Sequence, residues 1–196
     1  MLTKWAKKLL PYIYASSNYA STFPVFVLNS YNSRAAFVEG KDYSGTTRYF
    51  EPTFQTPSFS NITGSSITAS SNGVAFGSSD TPATDEDYTI GSKIDNLTAS
   101  LSPASTNAVS NSYDSTNDES HNYVDLTVTN NNSEAVTIKE ICKFGLLFYS
   151  ATKGSVPASA SDKVSVLIDR TVLDAPVTIQ PGESAVIRYD FIVSNS

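Results

Sequence analysis

Residues 164–193, VSVLIDRTVLDAPVTIQPGESAVIRYDFIV, read as strand, strand, tight turn and strand. In the last leg Ala185, Ile187, Tyr189, Phe191 and Val193 share one parity, and Arg188 and Asp190 take the other. A period of two is the signature of a half-buried β-strand. Before it stands Gln180-Pro181-Gly182-Glu183. Proline there presets φ, and glycine supplies the positive φ of a type II turn. With Val177 and Ile179 leading in, the pattern predicts a β-hairpin. None of these residues is a catalytic group, so the stretch specifies fold before function.

Working outward, the composition agrees. The chain has 196 residues, 40% of them hydrophobic and only 16% charged, which is enough for one sizeable core. Serine and threonine supply about a quarter of it, far above ordinary usage. Threonine favours strands, and serine and asparagine favour turns. An all-β protein is expected: an antiparallel β-sandwich, jelly-roll or immunoglobulin-like, over residues 16–196, with a short N-terminal helical arm over 1–15. A net charge of −6 argues against nonspecific nucleic-acid binding, which needs a basic patch. The single cysteine, Cys142, excludes an internal disulfide framework and any multi-cysteine zinc site.

No apolar run reaches the length of a membrane span. The N-terminal MLTKWAKKLLPYIYASSNYA places Lys4, Lys7 and Lys8 ahead of a short apolar core. Pro11 and two tyrosines interrupt that core, so the segment reads as a retained arm and not as a cleaved leader. Leu2, Trp5 and Leu9 share a helical face opposite the three lysines, in a helix too short to stand alone in water. Lys4, Trp5, Lys7, Lys8 and Leu9 are therefore the candidate assembly residues. They would dock on the chain's own body, an acidic neighbouring subunit or a membrane surface, and no membrane association is expected.

Residues 22–59 are rich in Phe and Tyr and read as strands, with GKDYSG as a turn. Their rings serve either core and interface packing or a sugar-binding groove. Residues 60–87 alternate Ile62, Ile67, Val74 and Phe76 with small polar residues, giving short strands between open loops. Asp80, Asp85, Glu86 and Asp87 offer oxygen ligands for Ca²⁺ but lack the regular alternation of a calcium loop, so a solvated loop is expected. Leu97, Ala99 and Leu101 mark a strand. Residues 103–122 read as a long exposed loop holding the one histidine, His121, beside Asp118 and Glu119. No metal is expected there.

Then the alternation resumes. Val124, Leu126 and Val128 oppose Asp125, Thr127 and Thr129, and the run Asn130-Asn131-Asn132-Ser133 turns the chain. Next, Val136, Ile138, Cys142, Phe144, Leu146 and Phe148 fall on one parity, broken by Glu140. In the following strand Val164, Val166, Ile168 and Val172 share a parity broken by Arg170. An unpaired buried charge is costly, so Glu140 and Arg170 are expected to pair, across neighbouring strands or a subunit boundary. A β-bulge turning Glu140 outward is the competing explanation.

No nucleophile elbow, phosphate loop, HExxH or dinucleotide fingerprint occurs, and no enzyme activity or cofactor is expected. Three pieces do occur in order: GVAFGSSDTPATDEDYTIGSKI at 73–94, VTIKEICKFGLLFYS at 136–150, and VLIDRTVLDAPVTIQPGESAVIRYDF at 166–191. Together they resemble a group of small structural proteins of tailed bacteriophages, in which a "G…TPAT.DDY.L" box precedes an "EIGLF" strand and a "LLDRTVL..PVTI.PGES" hairpin. The chain departs from that pattern where EIG becomes EIC-KFG. The resemblance implies a virion component of capsid or tail, a β-sandwich that packs on copies of itself as a homo-oligomer or on other virion proteins. Repetition in such an assembly lets weak contacts add up. The rival reading is a carbohydrate-binding or host-attachment module holding host glycans through aromatics between Phe23 and Phe59 or through the loop at 103–122. A bacterial surface or pilus-like protein comes third.

Overall fold

The computed structural model describes residues 38–54, 60–102, 109–150 and 163–194; the candidate assembly arm, Lys4, Trp5, Lys7, Lys8 and Leu9, lies outside them. The described chain is all-β, and every ladder is antiparallel. The strands are β1 (Val38–Lys41), β2 (Thr47–Phe54), β3 (Gly73–Gly77), β4 (Leu97–Ser102), β5 (Val109–Asp114), β6 (Glu119–Asn130), β7 (Val136–Ser150), β8 (Lys163–Ile179) and β9 (Ser184–Ser194). The first sheet is built around β7, which pairs with β2, β3 and β8 while β1 extends β2. The second is built around β6, which pairs with β4, β5 and β9. Both share a core in which Val74, Phe76, Ile138 and Ile141 of the first sheet meet Leu97, Val124, Leu126, Val128, Ile187 and Tyr189 of the second.

The alternation of β6 is realised directly: Val124, Leu126 and Val128 are fully buried, and Asp125, Thr127 and Thr129 are only half-buried. The turn at 180–183 also forms, with Gly182 at φ 74 and Glu183 N donating to Gln180 O at 3.0 Å. It does not, however, close a hairpin. β8 pairs with β7, whereas β9 pairs with β6 along its whole length, from Thr129↔Ser184 to Glu119↔Ser194. The chain changes sheets at this corner because Asn130 captures it. Asn130 N donates to Glu183 O, and Gly182 N donates to Asn130 O. The fully buried Asn130 side chain donates to Glu134 O at 2.8 Å and Ile179 O at 3.0 Å, and accepts from Asn132 N. One asparagine thus ties two turns together without leaving a buried polar group unpaired.

The single apolar parity expected along β7 is also corrected. Ile138 pairs with Val177 and Glu140 with Val172, so Leu173–Pro176 of β8 face Lys139 alone. Pro176 has no N–H to give a ladder. Across this irregularity the facing reverses: Ile138 and Ile141 both enter the shared core, while Cys142 and Phe144 pack on the other side with Ile62, Ala75, Ile90 and Leu167. A second shift, at Ile168 between Lys143↔Asp169 and Phe144↔Leu167, does the same to β8. Val164 and Val166 join Phe50 and Leu147, whereas Leu167 joins Cys142 and Phe144. Both faces of the first sheet are therefore covered, the outer one by segments between Ser60 and Asn96. The turn expected at GKDYSG forms over residues 42–46, with Gly45 at φ 82, while Gly40 and Lys41 still pair with Arg48 and Thr47 in β1–β2. Residues 109–122, expected to be an exposed loop, form β5, a turn and the start of β6.

Candidate functional site

The two charges that interrupt apolar parities lie together on the outer face of the first sheet. Cys142 pairs with Arg170 and Glu140 with Val172, so Glu140 and Arg170 are diagonal neighbours on adjacent strands. The shift at Ile168 turns Arg170 to this face. Arg170 Nε stands 2.7 Å from Glu140 Oε2, with the two side chains 5% and 0% exposed. The chain is indeed irregular beside Glu140, but the carboxylate points inward.

Space for that carboxylate comes from glycine. Gly77 is the register partner of Glu140 on β3. A methyl group there would collide with Glu140 Oε1 and lie 2.7 Å from Ser92 O. Gly91 is close on the same oxygen, at 3.2 Å for an added Cβ. Glu140 Oε1 accepts from Ser92 N at 3.0 Å, so both its oxygens are bonded.

Arg170 continues past Glu140 into the loop after β3. Its Nη1 donates to Asp87 Oδ2 at 2.9 Å, and its Nη2 donates to Thr81 O at 3.0 Å. Asp87 also accepts from Thr84 N and Thr84 Oγ1, both at 2.9 Å. Burial alone would raise the Asp87 carboxyl, but the Thr84 amide and the Arg170 guanidinium outweigh it and hold the pKa below the usual carboxylate value. Burial works against the guanidinium charge too, and the Asp87 and Glu140 carboxylates overcome it. Asp87 of the acidic loop is thus drawn onto a buried cation, while Asp80, paired with Lys139 at 2.9 Å, and Glu86 stay exposed as expected of a solvated loop. An open cleft of about 360 Å³ beside the cluster is lined by Thr84, Asp87, Tyr88, Ile90 and Arg170 among others.

No protein-family model, curated protein or solved structure matches this chain. What the molecule can do is therefore argued from its own groups. Each charged atom of the Arg170 cluster is bonded to a neighbouring strand or loop, an arrangement suited to holding layers together. Cys142 lies beside it, fully buried, and burial pushes its thiol well above the ordinary range, which leaves it a small core residue. On the opposite face Lys143 is buried too. Its ammonium donates to Phe144 O at 2.7 Å, and desolvation brings its pKa down to about 7.

Of the rings proposed for sugar binding, Phe50 is fully buried and Tyr43 packs against two core clusters. Among the described residues, one group has the spacing of metal ligands: Asp114, Glu119 and His121. Of the two acids expected beside His121, Glu119 lies 3.6 Å from its Nε2, whereas Asp118 accepts instead from Tyr113 Oη at 2.6 Å. Asp114 was the candidate ligand the sequence did not reveal, because the residues around it read as a loop and not as the β5–β6 turn that sets it across from Glu119. Asp87, offered as a calcium ligand, instead serves Arg170 from 83 residues away.

Proposed function

We propose that the chain is a non-enzymatic structural component of a tailed-phage particle. In this reading its two sheets form a β-sandwich body that assembles with copies of itself or with other capsid or tail proteins. One observation carries the proposal. The three separated stretches that resemble phage structural proteins supply the Arg170 cluster between them: Asp87, Thr81, Gly77 and Ser92 from the first, Glu140 from the second and Arg170 from the third. The residues that carry the resemblance thus build an internal framework of this chain, not a reactive centre. A framework locked by buried charge suits a component whose task is to hold a shape under load. The candidate arm, through Lys4, Trp5, Lys7, Lys8 and Leu9, is the proposed contact to a neighbour.

The test is quantitative mass spectrometry of density-purified particles from the source. A copy number close to that of the major shell protein marks a component spread over the capsid, and a small fixed multiple marks a ring, neck or tail part. Absence from the particles overturns the proposal and moves the glycan-binding reading to the front. Particles carrying a chain that lacks residues 1–15 give the second measurement. The truncated chain is expected to fold but to be lost from the particles, and unchanged incorporation removes the arm from the mechanism.

A further inference from the structure

The outer face of the second sheet carries a separate set of charges that the framework does not use. Asp114 and Glu119 are cross-strand partners at the end of β5 and the start of β6, joined by the turn at 115–118. His121 lies two residues beyond Glu119 and so on the same face. One ligand atom from each of the three falls within 4.8 Å of the others, and all three residues are half-buried.

The imidazole is held from outside this group. Asp190, on β9 along the other edge of β6, places Oδ2 at 2.8 Å from His121 Nδ1. That contact directs Nε2 toward the two carboxylates, 3.6 Å from Glu119 Oε2. A carboxylate bonded to the far nitrogen of a histidine is the usual outer support of a metal-bound imidazole, because it fixes the tautomer and raises the ring's basicity. Asp114 is oriented as well: Thr116 N donates to its Oδ1 and Asn117 Nδ2 to its Oδ2, both at 2.8 Å. Asp190 Oδ1 is buried and accepts no hydrogen bond from the described residues. Three carboxylates surround one imidazole, so the set is anionic even when the ring is protonated. Arg188, on the same face, is engaged with Asp125.

We propose that Asp114, Glu119 and His121 bind a divalent transition-metal ion of the Zn²⁺ class, with Asp190 as the positioning residue for His121. An imidazole donor selects Zn²⁺, Co²⁺ or Ni²⁺ over Ca²⁺ and Mg²⁺, which take oxygen ligands. Ligands at 2.0–2.2 Å in a tetrahedral set stand roughly 3.4 Å apart, so the Glu119–His121 separation is already suitable and Asp114 has only to swing in. Three protein ligands leave a position open to solvent, which water or a side chain of a second protein can fill. The proposal is independent of the virion reading.

The chain has a single histidine, which makes the test unambiguous in full-length protein prepared without a histidine tag. Zn²⁺ added as chloride at pH 7.5 is expected to shift the His121 ring signals in NMR and to bind with one-to-one stoichiometry by calorimetry. Excess Ca²⁺ should leave both readouts unchanged. His121→Ala should abolish binding, and Asp190→Asn should weaken it by about 10- to 100-fold, while Asp125→Asn, on the same face but outside the set, should bind as the unaltered protein does. Ring signals that do not move under a tenfold excess of Zn²⁺ overturn the proposal, and they do so on the unaltered protein, whatever the variants' folding. Equal binding by a folded His121→Ala protein overturns it as well.

Discussion

Arg170 and Arg188 lie on the outer faces of different sheets, and each holds a carboxylate within 3 Å. Arg170 Nε meets Glu140 at 2.7 Å; Arg188 Nε meets Asp125 at 2.8 Å, with a second bond from Nη2 at 3.0 Å and the guanidinium stacked over the Tyr123 ring. By bond length and geometry the exposed pair is the equal of the buried one. The surroundings differ: the Arg170 side chain is 5% exposed, and that of Arg188 is 55% exposed. Water competes for Arg188 and screens it, so its pair is worth little. Arg170 has no such alternative, and its removal strands the Glu140 carboxylate in the protein. Burial, more than geometry, decides which ion pair is part of the architecture.

The largest effect belongs to Arg170 itself. Arg170→Ala should cost about 3–5 kcal/mol in urea unfolding, and Glu140→Ala less, because Arg170 keeps Asp87. Replacing both charges by apolar residues of like volume, Glu140→Leu with Arg170→Met, should recover part of the Arg170→Ala loss, since Asp87, Thr81 O and Ser92 N still lose a partner. If the double variant is as unstable as the sum of the singles, the two charges do not act as a pair. Next in size is Gly77→Ala, which puts a methyl group against Glu140 and the Ser92 carbonyl and should cost about 1–3 kcal/mol. A melting temperature equal to that of the unaltered protein would mean that the carboxylate is not confined. The smallest effect belongs to Arg188→Ala, whose unfolding midpoint at physiological salt should match that of the unaltered protein. A loss as large as that of Arg170→Ala would refute the argument from burial.

Much of the strand structure was legible in the residues. The period of two in β6 and β9 places Leu126 and Ile187 correctly in the core, and proline and glycine mark the turn at 180–183. The Glu140–Arg170 pair was legible for a physical reason, since two opposite charges on apolar faces are each costly alone. Four things were hidden. A tight turn reports its own dihedral angles but not which strand captures the chain that leaves it, so Asn130 and the change of sheet went unread. A strand shift reverses every facing beyond it, and nothing at Ile168 announces one, although Pro176 hints at the other. The position of Asp87 depends on an arginine 83 residues further along the chain, a separation that local pattern cannot bridge. The surroundings of His121 were missed likewise, because Asp190 reaches it from a third strand.

The change of sheet at residues 180–183 gives the molecule a direction of mechanical strength. β9 leaves the corner and runs beside β6 through eleven consecutive register pairs. Tension applied at Ser194 along the strand, with the first sheet held fixed, is carried by the backbone through the corner into β8 and shared with those eleven rungs in shear. The same force applied across the sheet would peel them one at a time, beginning at the Ser194 end and reaching the Asn130 corner last. The second sheet is consequently stiff along β9 and soft across it.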